Sequence, residues 1–252
     1  MIISKPKSIM QTISGELPKQ VAGLTDQHIH YFENDTKKIP SPASNAKKIG
    51  IHQLMLNDYN ALVTDAATDD ITIKIASGFR SFERQLLIWN NKFTGKTPIK
   101  DIDGAIVNIN KLSDLEIIEA ILLFSALPGA SRHHWGCDID VYAPNLLGES
   151  VLQLEPWEYT SSGPMSKLSS WLVNNAGIYG FYFPYDTFRG GIAAEPWHLS
   201  YTPLAQQYQM VIDTELLHTL LSTADIAGKE TIIKHLPMIY TRYISNVAEP
   251  TK

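Results

Sequence analysis

The chain has 252 residues, of which 44% are hydrophobic and 19% charged, with a formal net charge of -5 and a sequence pI near 5.9. This length and apolar content allow a large hydrophobic core, so we expect a globular protein, and the acidic balance without a dense Lys/Arg run argues against a nucleic-acid partner. The single cysteine, Cys137, excludes an internal disulfide framework, and no apolar stretch has the length of a transmembrane helix or of a signal-peptide core.

The predicted elements begin with a mixed N-terminal segment. Residues 1–45 are expected to form an extended or loosely strand-forming arm. Residues 47–66 carry apolar side chains at a spacing close to 3.6, which predicts a helix. Residues 71–76 alternate apolar with polar side chains and predict a half-buried strand. A second helix is predicted over residues 81–93, with Ser81 as its N-cap.

The middle of the chain is predicted to form a capped helix and a strand. Ser113 and Glu116 have the spacing of a capping box, at the start of an apolar-rich helix over residues 113–124. Residues 137–142 alternate with period two, which predicts a strand. The alternation puts the two aspartates of this strand on the face opposite to its apolar side chains.

The last predicted elements complete the fold class. A helix is expected over residues 166–176, ending at Gly177 as its C-cap. A short strand over residues 197–201 and one helix over residues 203–225 follow. Because strands and helices interleave irregularly, without a regular βαβ repeat, we expect an α+β fold with a small central antiparallel sheet flanked by helices.

Two short segments about sixty residues apart contain the residue types of a catalytic zinc site. A zinc ion that takes part in chemistry usually has three ligands from His, Asp, Glu or Cys, and its fourth position holds water. His133, Asp140 and His198 can supply the three ligands. Glu195, three residues before the second of these histidines, is then free to accept the proton of the attacking water. This set predicts a zinc-dependent hydrolase.

Local patterns indicate how these residues can meet. Gly136 lies between His133 and Asp140, and a glycine there lets the chain turn from a loop into the strand. The alternation of the last strand places His198 and Ser200 on the face opposite to its aromatic residues. Asp140 and His198 can therefore lie on neighbouring strands and face one ion.

The other candidate groups favour structural roles. Four histidines without an acidic or glycine context are expected to be packed or surface residues: His28, His30, His52 and His218. His134 points away from His133 if the backbone is extended, and its role stays open. A serine-hydrolase site is disfavoured because the chain has no Gly-x-Ser-x-Gly elbow. Cys137 is predicted on the apolar strand face, where burial disfavours a thiolate.

Three ordered motifs resemble a known family. They are Ser77-Gly-Phe-Arg80-Ser-x-x-x-Gln85, Ser131-x-His133-x-x-Gly136-x-x-x-Asp140 and Glu195-x-Trp197-His198. In order and spacing they are similar to the D-alanyl-D-alanine carboxypeptidase family of zinc peptidases. These VanY-like enzymes share a fold with lysostaphin-type peptidases and the hedgehog signalling domain. The resemblance implies one zinc peptidase domain over residues 1–252, with its catalytic core at residues 70–203 after the N-terminal arm.

The resemblance also implies roles for individual residues. His133, Asp140 and His198 match the ligands of one zinc ion, and Glu195 matches the catalytic base. Arg80 matches the arginine that stabilises the substrate or the developing oxyanion. Three further residues match or adjoin positions that help to bind the substrate: Ser131, Gln85 and Trp197.

Two departures from the family pattern concern the surroundings of the metal. Asp138 stands two residues before the zinc aspartate, where relatives commonly have a small residue. Its carboxylate can orient a ligand histidine or repel an acidic substrate. His134 and Trp135 stand where relatives often carry glutamine and a small or polar residue, and the indole can narrow the cleft. Both departures leave the zinc chemistry intact and put the exact substrate in question.

The resemblance implies hydrolysis of peptidoglycan peptides that contain D-amino acids, and a D-alanyl-D-alanine carboxypeptidase is the leading hypothesis. The alternatives are an endopeptidase that cuts between L-Ala and D-Glu, and a zinc-bearing binding module without turnover. Glu195 and Arg80 argue against the module, because a structural zinc needs neither residue. Peptidoglycan lies outside the cytoplasmic membrane and no export signal is visible, so the compartment stays open, as does the oligomeric state.

Overall fold

The computed structural model describes residues 13–33 and 48–250. Eight α-helices are numbered here in chain order: α1 Glu16–Val21, α2 Leu56–Thr68, α3 Phe82–Phe93, α4 Asp114–Leu122, α5 Ser166–Asn175, α6 Thr202–Gln209, α7 Thr214–Thr223 and α8 Lys229–Ile239. The strands in these ranges are β1 Ile29–Glu33, β2 Lys48–His52, β3 Lys74–Ser77, β4 Asp138–Tyr142, β5 Phe181–Tyr182 and β6 His198–Tyr201. Short 3-10 turns and one π-helical turn, Tyr240–Ile244, connect or extend them.

The strands form two antiparallel sheets. A four-stranded sheet has the order β3-β4-β6-β5, and β1 and β2 form a separate pair. In the larger sheet Asp140 of β4 lies opposite His198 of β6, and Ser77 of β3 lies opposite Asp140 on the other side. The expected α+β class, with a small central antiparallel sheet flanked by helices, is confirmed. The register thus places the last residue of β3, the middle residue of β4 and the first residue of β6 side by side.

One hydrophobic core supports this sheet. Every residue of β4 is buried, and α3 turns Phe82 and Trp89 into the same core. A fully buried large apolar side chain contributes about 1.5–3 kcal/mol relative to exposure. The C-terminal helices α7 and α8 also contribute fully buried leucine and isoleucine side chains to this core. The site-bearing strands are therefore held on a rigid base.

Local capping signals place two helices where the sequence predicts them. The Ser81 side chain accepts a hydrogen bond from the backbone N–H of Arg84 and caps α3. Ser113 and Glu116 form a complete capping box at the start of α4. Such caps satisfy N–H groups that have no partner inside the helix. The strands predicted over residues 71–76, 137–142 and 197–201 also appear, with slightly shifted ends.

The helix predicted over residues 47–66 is wrong in its first third. Residues 48–52 form β2, which pairs with β1, and a 3-10 turn at Gln53–Met55 leads into α2. The apolar spacing after residue 54 does belong to a helix. Residues 48–52 form a strand because they pair with β1. The periodicity of residues 47–66 contains no information about that partner.

Two other predicted boundaries are wrong. Ala176, and not Gly177, is the C-cap of α5, and the chain continues as a 3-10 turn that ends at Gly180 in the left-handed region, with φ 79°. The single helix predicted over residues 203–225 is two helices, α6 and α7. The Asp213 side chain accepts a hydrogen bond from the backbone N–H of Leu216 and starts α7 as a new helix.

The N-terminal arm is more ordered than expected wherever the structure describes it. Residues 16–21 form α1, and Ile13, Val21 and Leu24 are buried in the main core. Residues 1–12 and 34–47, with the Ser-Pro-rich stretch of the predicted arm, lie outside the described residues. In the described ranges, no helix combines the length and apolar character needed to cross a membrane.

Candidate metal and catalytic site

The structure brings His133, Asp140 and His198 together. One possible ligand atom from each lies within 4.8 Å of the others. His133 sits in a 3-10 turn over residues 132–135, and Gly136 ends that turn with φ 72°, a conformation that favours glycine. A Cβ atom at Gly136 would lie 2.3 Å from the Ile29 side chain. The chain can therefore turn at Gly136 and enter β4, as the sequence predicts.

The distances around the site are short. His133 Nε2 lies 3.4 Å from Asp140 Oδ2, and His198 Nδ1 lies 3.2 Å from Asp140 Oδ1. Glu195 Oε2 lies 3.3 Å from His198 Nδ1. The three candidate ligand side chains are almost fully buried, whereas Glu195 is partly exposed. Glu195 thus stands beside the ligands and faces the cleft.

Hydrogen bonds on the far side of each imidazole orient its free nitrogen. His133 Nδ1 is 3.1 Å from the carbonyl oxygen of Gly78, which can only accept, so this nitrogen donates. His198 Nε2 is 3.0 Å from Asp138 Oδ1 and donates in the same way when the imidazole is neutral. Both rings then present a lone pair towards Asp140. Metal-binding histidines in proteins commonly have this second contact.

Two buried atoms at the centre of the site have no hydrogen-bond partner among the described residues. They are Asp140 Oδ1 and His198 Nδ1, which face each other. Buried polar atoms are nearly always satisfied, so such a pair calls for a missing partner. Two imidazole nitrogens and a carboxylate suit a divalent metal ion. The residues present therefore fit a metal site.

The electrostatics of the protein alone also favour a cation here. Burial by itself would lower the pKa of His198, but the carboxylates of Asp138, Asp140 and Glu195 outweigh it and hold the pKa well above its usual range. Burial would raise the pKa of Asp140, yet the imidazoles of His133 and His198 hold it well below its usual range. A proton on His198 thus occupies the place where a metal ion would bring positive charge.

A buried ion pair supports His198 from behind. Arg132 Nε donates to Asp138 Oδ1 at 2.7 Å, the same oxygen that faces His198, and Ser200 Oγ donates to Asp138 Oδ2 at 3.0 Å. Arg132 Nη2 also donates to Ser200 Oγ at 2.8 Å. The guanidinium lies 4.4 Å from the centre of the Trp135 ring. The Asp138 carboxylate is therefore ionised, the Arg132 guanidinium balances its charge, and the hydrogen bonds fix its orientation.

Arg80 is anchored beside the ligands by two neutral side chains. Its Nη1 donates to Gln85 Oε1 at 2.8 Å and its Nη2 donates to Ser77 Oγ at 3.0 Å. Its backbone N–H donates to the carbonyl of His133, and its carbonyl accepts from His134 Nδ1 at 2.6 Å. Two hydrogen bonds therefore join the turn that carries His133 to the segment that carries Arg80.

His134 has a structural role. Its Nε2 accepts from the backbone N–H of Gly129 at 3.0 Å while Nδ1 donates to Arg80. Burial lowers the pKa of His134 to about 3, so the imidazole is neutral and both nitrogens are used. His134 contributes to the site through the backbone of Arg80.

The cleft beside the ligands has a volume of about 370 Å³, within the usual range for ligand pockets. Four of the residues that the sequence proposes for the site line it: Ser131, Trp197, Arg80 and Glu195. Gln85 does not line it. Its amide is fully buried and is used by Arg80 and by the carbonyl of Ala126. A direct contact between Gln85 and substrate stays a prediction, and its observed contact is with Arg80.

Sequence reasoning missed three residues of this region. Arg132 is adjacent to a motif serine, but its pairing with Asp138 is a tertiary contact. The Tyr185 ring lies 4.9 Å from the His198 ring and lines the cleft. Lys92 also lines the cleft, two helical turns after Gln85. The seven-residue spacing from Gln85 places Lys92 on the same face of α3, and this was the sequence signal that could have identified Lys92.

Two of the histidines left out of the site form a separate buried pair. The His28 and His52 rings lie 5.2 Å apart, and His52 Nε2 is 3.0 Å from the Tyr208 hydroxyl. His52 Nδ1 accepts from the backbone N–H of Leu54 at 3.1 Å. These contacts agree with the packed role that the sequence predicts for His28 and His52.

Comparisons with known proteins identify the family of the chain. The family model of VanY, D-alanyl-D-alanine carboxypeptidase, matches residues 48–204, which is more than half of the chain. An uncharacterized protein of Haemophilus influenzae is 38% identical over 122 residues, which cover 47% of this chain and 92% of the relative. A second uncharacterized protein of that organism is 31% identical over 110 residues, covering 44% and 69%.

Solved structures give a weaker likeness. VanYB in complex with D-alanine-D-alanine has a TM-score of 0.48 at 18% identity, with 75% of this chain and 86% of that chain covered. A vancomycin resistance D,D-pentapeptidase VanY in complex with Zn(II) has a TM-score of 0.47 at 19% identity, covering 78% and 92%. The family match rests on the sequence model. This chain belongs to the VanY family of D-alanyl-D-alanine carboxypeptidases.

Proposed function

We propose that the protein is a zinc-dependent peptidase that hydrolyses D-amino-acid-containing peptidoglycan peptides, acting as a D-alanyl-D-alanine carboxypeptidase. The observation that carries the proposal is the group of His133, Asp140 and His198 with two unsatisfied buried atoms at its centre and Glu195 at its edge. Membership of a peptidase family supports the substrate class.

Zinc bound by these three side chains would supply a Lewis acid that activates water and polarises the scissile carbonyl. The protein's own residues then have distinct tasks. Glu195, which is not needed as a ligand, accepts the proton of the attacking water and passes it to the leaving amine. Asp138 keeps His198 in the orientation that leaves Nδ1 free.

Arg80 carries the second electrostatic task. Its guanidinium lines the cleft and its known partners are neutral, so its charge is available to the substrate. We assign it to the developing oxyanion, where loss of one such donor typically costs about 10²- to 10³-fold in rate. Ser131 and Trp197 complete the wall that positions the peptide.

The test combines metal analysis with product analysis. Purified protein should bind one zinc ion per chain and release D-alanine from a wall pentapeptide that ends in D-Ala-D-Ala. Glu195→Gln should keep the zinc and lose at least about 10²-fold in turnover, whereas His198→Ala should lose both. Glu149→Gln, at an exposed position, is the matched control and should behave as the wild type.

Other products would overturn the assignment in specific ways. Cleavage between L-Ala and D-Glu, with no free D-alanine, would make the protein an endopeptidase. Bound zinc without hydrolysis of any wall peptide would make it a binding module. A Glu195→Gln enzyme with normal activity would remove Glu195 from the mechanism.

A further inference from the structure

Lys92 is a cleft residue with a defined position. It lies on α3, seven residues and about 10 Å along the helix axis from Gln85. Its Nζ donates to Ser125 Oγ at 2.6 Å, and Gln85 Nε2 donates to the carbonyl of the next residue, Ala126, at 2.6 Å. Lys92 and Gln85 are therefore anchored to the same short loop, and Lys92 and Arg80, which Gln85 holds, both line the cleft.

Among the described residues Lys92 forms no ion pair, although the more distant Glu195 carboxylate favours its charged form. Two other cations that line the cleft have acidic partners, because Lys100 pairs with Glu155 and Arg132 pairs with Asp138. No ion pair joins Lys92 to a carboxylate in the described parts of the chain, and its one hydrogen bond goes to a hydroxyl. A desolvated charge without a counter-charge is costly. An incoming anion would remove that cost.

The protonation state of Lys92 agrees with a role in anion binding. Burial, together with the nearby charge of Arg80, lowers the pKa of Lys92 to about 8. The ammonium form therefore predominates at neutral pH. Among the described residues Arg80 likewise forms no ion pair and is held by two neutral side chains, so the wall presents two positive charges to a ligand that reaches Glu195.

The surroundings of Lys92 indicate the kind of anion. Apolar side chains also line the cleft: Ile88, Ile99, Ala120, Phe124 and Ile192. A cation in a cleft with apolar walls suits a small residue that ends in a carboxylate. A phosphate or a long polar chain would leave its remaining polar atoms unsatisfied there.

We propose that the Lys92 ammonium binds the free C-terminal carboxylate of the peptide substrate and thereby makes the enzyme a carboxypeptidase. Arg80 is then left for the oxyanion. The inference deepens the proposed function and rests on it. A peptide that continues beyond this point has no terminal charge to offer, and it would leave the partly buried Lys92 ammonium without a counter-charge.

The experiment uses the zinc-loaded full chain and two peptides that differ only at the terminus. Both end in D-Ala-D-Ala, one as the free acid and one as the amide. The wild type should prefer the acid by at least about 10-fold in kcat/KM, the typical effect of a hydrogen bond to a charged group. Lys92→Met should abolish this preference by raising KM for the acid peptide, and kcat/KM for the amide peptide should stay unchanged.

Controls separate specificity from folding. Lys92→Arg should keep the preference because it keeps the charge, and Lys96→Met, at an exposed position, should match the wild type. Thermal unfolding of each variant shows whether it is folded. If Lys92→Met folds and still prefers the acid to the same extent, the proposal is wrong.

A binding arm distinguishes this proposal from the proposed function. Glu195→Gln is expected to keep the metal, so calorimetry with this variant measures binding of both peptides without turnover. If the wild type cuts neither peptide, the proposed function fails. If Glu195→Gln binds the acid more tightly than the amide and Glu195→Gln/Lys92→Met does not, Lys92 is still supported as the carboxylate site. Equal binding of acid and amide by Glu195→Gln would overturn the proposal.

Discussion

Asp138 Oδ1 lies 3.0 Å from His198 Nε2 and, on its other side, 2.7 Å from Arg132 Nε. One carboxylate oxygen thus joins a candidate metal ligand to a buried guanidinium. Burial would raise the pKa of Asp138, but Arg132 and His198 outweigh it and hold the pKa below its usual range. Asp138, which departs from the family pattern, therefore helps to hold the candidate ligand His198 in place.

Replacement of this pair tests that support. Asp138→Ala alone leaves Arg132 buried and unpaired, which should cost about 3–5 kcal/mol in unfolding free energy. Asp138→Ala/Arg132→Met should recover most of that stability and still bind zinc about 10- to 100-fold more weakly than the wild type. Thermal unfolding and chelator competition measure the two effects. Unchanged zinc affinity in the double variant would mean that Asp138 serves Arg132 alone.

Arg80 and Gln85 should differ in the size of their effects. Arg80→Met removes the charge and should lower kcat by about 10²- to 10³-fold with zinc affinity unchanged. Gln85→Met removes one of the two side-chain anchors of Arg80, a hydrogen bond of about 1 kcal/mol, and should lower kcat by about 5-fold. Steady-state kinetics on D-Ala-D-Ala peptides give both values. Equal losses in the two variants would indicate that Gln85 itself touches substrate.

Metal binding should release a proton. The carboxylates around His198 hold its pKa well above the usual range, so the metal-free imidazole is protonated at neutral pH. Zinc needs the neutral form, and its affinity should fall as the pH is lowered. Calorimetric titration in two buffers with different ionisation enthalpies measures the released protons. His198→Ala should bind no zinc at this site and show no zinc-dependent rise in Tm.

The buried His52 should make the fold sensitive to acid. Burial, with a contribution from His28, lowers the pKa of His52 from 6.5 to about 4. Between these values the unfolded chain binds the proton and the folded chain does not, so stability is present above pH 6.5 and is lost as the pH falls towards 4. One such proton changes unfolding free energy by at most about 1.4 kcal/mol per pH unit.

A matched pair of variants isolates that contribution. His52→Asn keeps an acceptor for the Leu54 N–H but cannot titrate, so its stability should decline less steeply with acid. His218→Gln replaces an exposed histidine and should follow the wild-type curve. Denaturant unfolding at a series of pH values between 4 and 7 gives the slopes. Parallel curves for wild type and His52→Asn would contradict the prediction.

Deprotonation of Lys92 should set an upper pH limit for substrate binding. Its pKa of about 8 means that the ammonium is lost as the pH rises through that value in the free enzyme. KM for a peptide with a free carboxylate should therefore increase above pH 8, and KM for the amide should not. Lys92→Arg stays protonated and should move this limit upward. The pH dependence of KM for the two peptides provides the measurement.

Several features of the protein follow from short-range patterns. The Ser113–Glu116 capping box and the Ser81 cap lie within a few residues of the groups they satisfy, so their helices could be predicted. The residue types and order of His133, Asp140 and His198, with Glu195 beside the last, likewise predict a candidate ligand set and base from the sequence, because zinc chemistry restricts the residue types.

The tertiary structure decided what depends on distant partners. Strand β2 forms because β1 pairs with it, and the periodicity of its own residues indicated a helix instead. In the described parts of the chain Arg132 pairs with Asp138, whereas Lys92 forms no ion pair, and nothing in the sequence spacing of these three residues distinguishes the two cations. Charge pairing and burial depend on how distant parts of the chain pack. They are therefore decided by the tertiary structure, which places the strands and helices around one cleft.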